Sequence, residues 1–324
     1  MLCNISSKKY IRNLKRREEL KNPIFILGAP RSGTTFLASL LEGSSYGVPF
    51  ETHFITKYFK RLSQYGDFCQ QDNFRRLLGD ILKERPVMQW GLNIDVDKLY
   101  QELGSEFCYG DIVDALCKNY SKSNGCNNWG DKTPTYLLDL DIIYELFPNA
   151  KYLYITRDGR DVALSLLQKS WGPNNVFSCA EYWCRYYLDN KTLGTIFSSG
   201  RLYEVRYEDL IEDVDQRVGE IYDFIGEESV KEKVSIAVSK VKKGNYYKWK
   251  AVMTPMQIKV FNASAHETLR RLGYEVGQDS YKLPAYKKRL YQLHDKLMFA
   301  KHLFVMNVID GFKIRYLGKE PFAD

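Results

Sequence analysis

Short, continuously apolar runs alternate along this chain with segments whose apolar positions recur every three or four residues. The run "IFIL", Ile24 to Leu27, is followed by "TTFLASLLEG", which has helical spacing and ends at Gly43. A bounded apolar run before a periodic segment predicts a buried parallel strand leading into a helix. "KYLYITRD", Lys151 to Asp158, predicts a second strand, and "GRDVALSLLQKSW" a helix by its Val162 and Leu166 spacing. A third strand, "RLYEVRYEDLI", precedes "DVDQRVGEIYDFIG", a helix closed by Gly226. Strands alternating with helices predict an α/β fold with a parallel sheet flanked by helices.

Between the first two of these units lies a mostly helical insert, roughly Thr52 to Tyr144, and after the third a helical region runs to the end. No internal repeat or low-complexity segment divides the chain. Residues 23–324 are therefore expected to form a single domain, with 52–144 as a helical insert, 285–324 as a helical C-terminal extension or lid, and 1–22 as a lead-in. In the tail, Tyr286, Leu290, Leu293, Leu297 and Phe304 recur at near-helical spacing with Lys287, Lys288, Arg289 and Lys296 between them, which predicts an amphipathic helix. Met298, Phe299, Val305, Met306, Val308 and Ile309 widen the apolar sector, so packing against the domain is the expected role. Contact with a membrane surface is the alternative.

Composition narrows the class. The chain has 324 residues, 44% hydrophobic and 27% charged, enough to bury a large core. Its net charge of +7 is modest and concentrated most clearly in "KKYIRNLKRREELK", a basic lead-in read as a solvated helix rather than an anionic membrane or polyanion contact. No nucleic-acid partner is expected. No apolar run approaches the ~20 residues of a membrane span, and no signal-peptide core follows Met1, so a cytoplasmic location is expected. Seven scattered cysteines without CxxC pairs fit reduced thiols, and four dispersed histidines form no ligand cluster, so no metal site is expected.

Candidate chemistry centres on "NPIFILGAPRSGTTFLASLLEGS", Asn22 to Ser44. The spacing from Gly28 to Gly33 is that of a phosphate-binding loop, and backbone amides from Ala29 to Thr35, with the hydroxyls of Ser32, Thr34 and Thr35, form an anion cradle. A nucleotide-hydrolysing loop would carry lysine after Gly33. Here Thr34 stands there, and the nearest basic residue is Arg31. The second strand ends in Arg157 rather than in a magnesium-binding aspartate.

"GAPRSGTTFL" resembles the 5′-phosphosulfate loop of the sulfotransferases that use 3′-phosphoadenosine-5′-phosphosulfate (PAPS), in particular the branch containing the glycan and tyrosylprotein enzymes. "YITRDGRDVALSLL" is similar to that family's 3′-phosphate motif, which implies that Arg157 and Ser165 clasp the 3′-phosphate. A helix begun at Asp158 to Arg160 would carry Ser165 about two turns along, toward the same anion. The resemblance covers about Pro23 to Glu275 and implies further roles. Tyr207 of "VRYEDLI" would lie near the adenine, and Lys248 and Lys169 would reach the phosphates. "VPFETHFITKYF" resembles the family's glutamate-bearing segment, implying Glu51 as catalytic base, with His53 as second candidate. "NWGDKTPTYL" resembles the segment whose lysine points to the scissile bridge oxygen, implying that Lys132, with Arg31, offsets charge there.

The resemblance implies in-line sulfuryl transfer from PAPS to an acceptor hydroxyl, leaving the desulfated nucleotide PAP, with no metal. "FITKYFKRLSQYGDF" and "PVMQWGL" supply rings in the insert, which favours a hydrophobic small-molecule alcohol such as a sterol or phenol. Glycan O-sulfation is the second reading and peptidyl tyrosine the third. A kinase or NTPase and a non-catalytic PAP-binding module are the alternatives from other classes.

Overall fold

The computed structural model describes residues 22–227, 235, 239, 244–277 and 281–305. The lead-in before Asn22, and Met306, Val308 and Ile309 of the tail, lie outside them. The chain divides into two compact units, Met1–Thr156 with Asn190–Gly244, and Arg157–Asp189 with Asn245–Asp324.

The first unit is built on five parallel strands: β1 (Ile24–Leu27), β2 (Tyr46–Gly47), β3 (Asn128–Asp131), β4 (Lys151–Thr156) and β5 (Leu202–Arg206). Their order is β2-β3-β1-β4-β5. β1 lies at the centre with Phe25 beside Asp131 on one side and Tyr152 on the other. All four residues of β1 are buried, as its unbroken apolar run requires. Around Phe25 gather the rings of Trp129 at 5.8 Å, Phe147 at 5.6 Å and Tyr152 at 5.9 Å, tying β1, β3 and β4 into one core.

Two strands fall where the residue pattern predicts none. β2 has two residues, and β3, "NWGD", holds no β-branched residue and lies inside the predicted helical insert. The third predicted strand is also shorter than its sequence suggests. After Arg206 the chain turns into the helix Tyr207–Glu212, whose first turn carries Glu208 and Asp209. The helix Val214–Ile225 comes next and ends at Gly226 as predicted. The helix after the glycine loop, α1 (Thr34–Ser39), is short; α2 (Phe54–Phe59) packs on the helix Leu140–Leu146, and α3 (Tyr109–Ser123) on β2 and β3. Rings of the insert pack mainly among themselves. Phe74 meets Tyr100 at 5.2 Å and Phe107 at 5.5 Å, and Phe54, Tyr58, Tyr65 and Phe68 are buried. These rings therefore contribute to a core within the insert.

The second unit centres on α4 (Gly159–Leu166), α5 (Val176–Arg185), α6 (Pro255–Arg271) and α7 (Ala285–Phe304). Asp158, fully buried, accepts both Nε at 2.9 Å and Nη2 at 2.7 Å from Arg160. The guanidinium lies 3.6 Å from the Trp249 ring centre, and Trp249 Nε1 donates to the same carboxylate at 3.0 Å. A buried charge pair satisfied on every side fixes the start of α4 against the 245–249 segment. α7 meets α5 through one face. Tyr291 stacks on Phe177 at 5.7 Å, and Asp295 accepts from the Asn174 amide at 2.6 Å. The apolar stripe from Tyr286 to Phe304, expected to pack, is instead exposed. No helix among the described residues is long and apolar enough to cross a membrane.

Gly159 is the tightest joint of the second unit, since a Cβ there would sit 2.5 Å from the Trp183 ring. Gly159→Ala is therefore expected to destabilise the protein by about 1–3 kcal/mol, read as a lowered thermal unfolding midpoint. An unchanged midpoint would show that the ring moves aside without cost.

Candidate active site

β1 and β4 are neighbours, yet the chain leaving β1 goes on to β2 at one edge of the sheet while the chain leaving β4 goes on to β5 at the other. In open α/β sheets ligands bind beyond the carboxyl ends of strands whose connections part in this way. The glycine loop comes directly after β1. Its turn is closed by a hydrogen bond from Ser32 N to Ala29 O at 3.0 Å. Arg31 takes a left-handed conformation, φ 71°, with its side chain exposed, and Gly33 has φ 104°. A Cβ on Gly33 would lie 2.5 Å from the Tyr207 ring, which fills the space beneath the loop and meets Phe36 edge to face. Thr34 is buried and Thr35 exposed. Ser32 Oγ is buried with no hydrogen-bond partner among the described residues. An orphaned buried hydroxyl inside a ring of loop amides fits a phosphate-like group, which would satisfy it.

Glu51, His53 and Lys132, separated by up to 81 positions, come together in the same unit. β3 runs beside β1, and one residue past its end Lys132 forms an isolated parallel bridge with Phe50. That bridge sets Glu51 against the lysine. Lys132 Nζ donates to Glu51 Oε1 at 2.9 Å, and His53 Nε2 lies 3.3 Å from Oε2. The Lys132 side chain is only 2% exposed, with its ammonium 4.2 Å from the Phe50 ring centre. His53 is itself left-handed, φ 54°, at the start of α2, and its Nδ1 is 3.4 Å from Thr135 Oγ1. Burial tends to raise the Glu51 pKa, but hydrogen bonds and charges from His53 and Lys132 outweigh it and hold the carboxyl below its ordinary value.

Behind these groups lies a buried polar network that sequence reasoning missed. Thr52 Oγ1 donates to Asp131 Oδ2 at 2.6 Å and lies 2.7 Å from the Tyr136 hydroxyl. Thr52 N donates to Thr133 Oγ1 at 2.9 Å, and Ile55 N to the Tyr136 oxygen at 3.1 Å. Both neighbours of Lys132 thus anchor the residue after Glu51. The string "GDKTPTY" holds three of these residues, but their partner Thr52 lies 79 positions from Asp131. Nothing local announces that distance.

The other candidates belong to the second unit. Arg157, directly after β4, donates to Asn245 O at 3.1 Å and lies 3.7 Å from Asp161 Oδ2. Ser165 is half-buried near the end of α4, which Asp158 caps through Arg160 N. Lys169 lies past that helix, half-buried. Lys248 is exposed at the start of the short helix Trp249–Val252, next to Tyr247 with φ 52°. Among the described residues, no group of three or more His, Cys, Asp or Glu side chains could hold a metal ion.

Asp131 gives the first unit a pH signature. Burial pushes its carboxyl up to about 6 against the opposing hydrogen bonds of Thr52 and Thr133. With the folded value above the ordinary one, folding favours the protonated form; this stabilisation is complete below about pH 4 and is lost as pH rises through about 6. Asp131→Asn removes the titration and keeps an acceptor for Thr52. The difference in unfolding free energy between the two proteins should shift toward the variant by about 2 kcal/mol between about pH 4 and 7. A difference independent of pH would exclude this assignment.

Comparison with known proteins places the chain. An uncharacterised protein of Aquifex aeolicus (strain VF5) is 26% identical over 212 residues, 63% of this chain and 25% of that protein. The protein-tyrosine sulfotransferase of Drosophila melanogaster is 26% identical over 147 residues, 45% of this chain and 25% of the enzyme. The chain thus spans about a quarter of the length of these two relatives. Among solved structures, the sulfotransferase domain from the curacin biosynthetic pathway superposes with a TM-score of 0.51 at 21% identity, covering 80% of this chain and 99% of that domain. The α/β fold is therefore shared with that domain. The model of the Sulfotransferase family matches residues 23–232, and the chain belongs to that family.

Proposed function

We propose that this protein transfers a sulfuryl group from PAPS to the hydroxyl of an acceptor, with Glu51 as the base. The observation that carries this reading is the Glu51–Lys132 pair on the same sheet edge as a glycine loop whose buried Ser32 hydroxyl has no partner among the described residues. Bound in that loop, PAPS supplies the sulfuryl group and a phosphate leaving group. The loop amides, Ser32, Gly33, Thr34, Thr35 and Arg31 would hold its 5′ end. Arg157 and Ser165 would hold the 3′-phosphate, with Lys169 and Lys248 as further cations and Tyr207 toward the base.

Glu51 is ionised near neutral pH because hydrogen bonds and charge from its neighbours Lys132 and His53 outweigh burial and hold its pKa below the ordinary value. While Lys132 pairs with it, the carboxylate is a weak base. When Nζ turns from Oε1 toward a stronger anion, the affinity of Glu51 for a proton rises. The same movement places an ammonium on developing negative charge, so one lysine both offsets that charge and releases the base. His53, with 45% of its side chain exposed, stands between Oε2 and solvent and would pass the proton outward.

For the acceptor we favour a ring-bearing, apolar alcohol. Phe50, next to the candidate base, is 65% exposed, and an exposed ring at that position offers a stacking surface. A tyrosine side chain on a peptide is the second reading, because the Drosophila relative carries that activity. Both acceptors present a hydroxyl on an apolar framework.

PAP is expected to raise the thermal midpoint in buffer containing EDTA, and labelled PAPS to be turned over with phenols or sterols. No shift at saturating PAP would reject the nucleotide; turnover only with oligosaccharides would reject the apolar acceptor. Glu51→Gln should lower kcat by roughly 10²-fold or more with PAP affinity retained, and His53→Gln by less. The reverse order would make His53 the base.

A further inference from the structure

Helix α7 packs by one face and leaves the opposite one uncovered. At about 100° per residue, Tyr286, Leu290, Leu293, Leu297 and Phe304 fall in a stripe about 60° wide, roughly opposite Tyr291 and Asp295, which hold the helix to α5. The stripe residues are 54–62% exposed, and no residue of α7 is buried. Such a row of exposed large apolar side chains implies a partner.

The flanks of the stripe decide which partner. Lys287, His294 and Lys301 border it on one side, Arg289 and Lys296 on the other. Asp295, the one acidic residue of α7, lies on the packed face and is bonded to Asn174. A second copy would bring these cations against their own counterparts in either helix orientation, which is repulsive. A coiled-coil seam also needs about three to four heptads. The stripe spans fewer, with Tyr286 and Ala300 at two of its seam positions. A lipid surface needs no register. It accepts leucine and aromatic side chains at the acyl boundary, while lysine stems lie along it and their heads reach the phosphates.

We propose that α7 lies flat on an anionic bilayer, its Tyr286–Phe304 stripe at the acyl boundary and Lys287, Arg289, Lys296 and Lys301 at the headgroups. This contact holds the second unit at the interface, independently of what the first unit does chemically.

The test is sedimentation of the full chain with vesicles of phosphatidylcholine alone or with one-third phosphatidylglycerol. The protein should sediment with the anionic vesicles and far less with the neutral ones. The triple variant Leu290→Ser, Leu293→Ser, Leu297→Ser should bind at least about tenfold more weakly. Replacing Lys287, Arg289, Lys296 and Lys301 by Gln should lower binding to anionic vesicles by at least about tenfold. Both variants should keep the wild-type thermal midpoint, because none of the changed side chains is buried and all but the half-buried Lys287 are exposed. Failure of the wild type to sediment would overturn the proposal, as would equal sedimentation of the leucine variant, which would assign binding to another part of the chain. A lowered midpoint in that variant would show that the stripe is packed within the protein, and a leucine-dependent dimer without vesicle binding would assign the face to a second copy; either result also overturns it.

Discussion

All five strands of the sheet run in one direction, so their carboxyl ends lie along a single edge. Everything chemically distinctive in the first unit depends on that constraint. The glycine loop leaves β1 there, Lys132 emerges from β3 there, and Phe50 bridges to that lysine so that Glu51 arrives at the same edge. A parallel sheet needs long returns between strands, and those returns carry the helices that bury its faces. Chemistry is gathered at one edge and hydrophobic burial on the two faces.

Local features were legible in the residues, and distant ones were not. The loop after β1 reads directly, because strand, glycines, hydroxyls and helix succeed each other within a single short stretch. β2 and β3 escape the pattern because two- and four-residue strands carrying Gly and Asp hold too few alternating positions to signal. The network of Thr52, Asp131, Thr133 and Tyr136 was invisible because its members are polar residues far apart in sequence, joined only by the bridge between Phe50 and Lys132. The helical period of the tail was readable, but period alone does not say which face is covered. Tyr291 and Asp295, rather than the leucines, make the contact with α5 and the turn before it.

A lysine side chain with 2% exposure is cut off from water and needs an anion beside it. Glu51 meets that need at 2.9 Å, and the lysine in turn helps hold the carboxyl below its ordinary pKa. At three candidate positions the backbone is held away from its relaxed form. Arg31, His53 and Tyr247 have left-handed φ angles although none is glycine, and each lies at or beside a candidate site residue. Such conformations cost of order 1–3 kcal/mol each and persist where surrounding structure over-determines them. Here the Thr52 network and the buried Asp158–Arg160 pair flank two of the three.

Tyr207 fills the space under Gly33, and the Ser32–Ala29 hydrogen bond closes the turn above it. The fold thus holds this loop in one shape, and the anion we propose for it would meet a cradle already formed. Ordering a flexible segment costs about 1–2 kcal/mol per residue in backbone entropy. A loop already shaped escapes that loss, so the attraction between its amides and the proposed anion would pass almost undiminished into affinity.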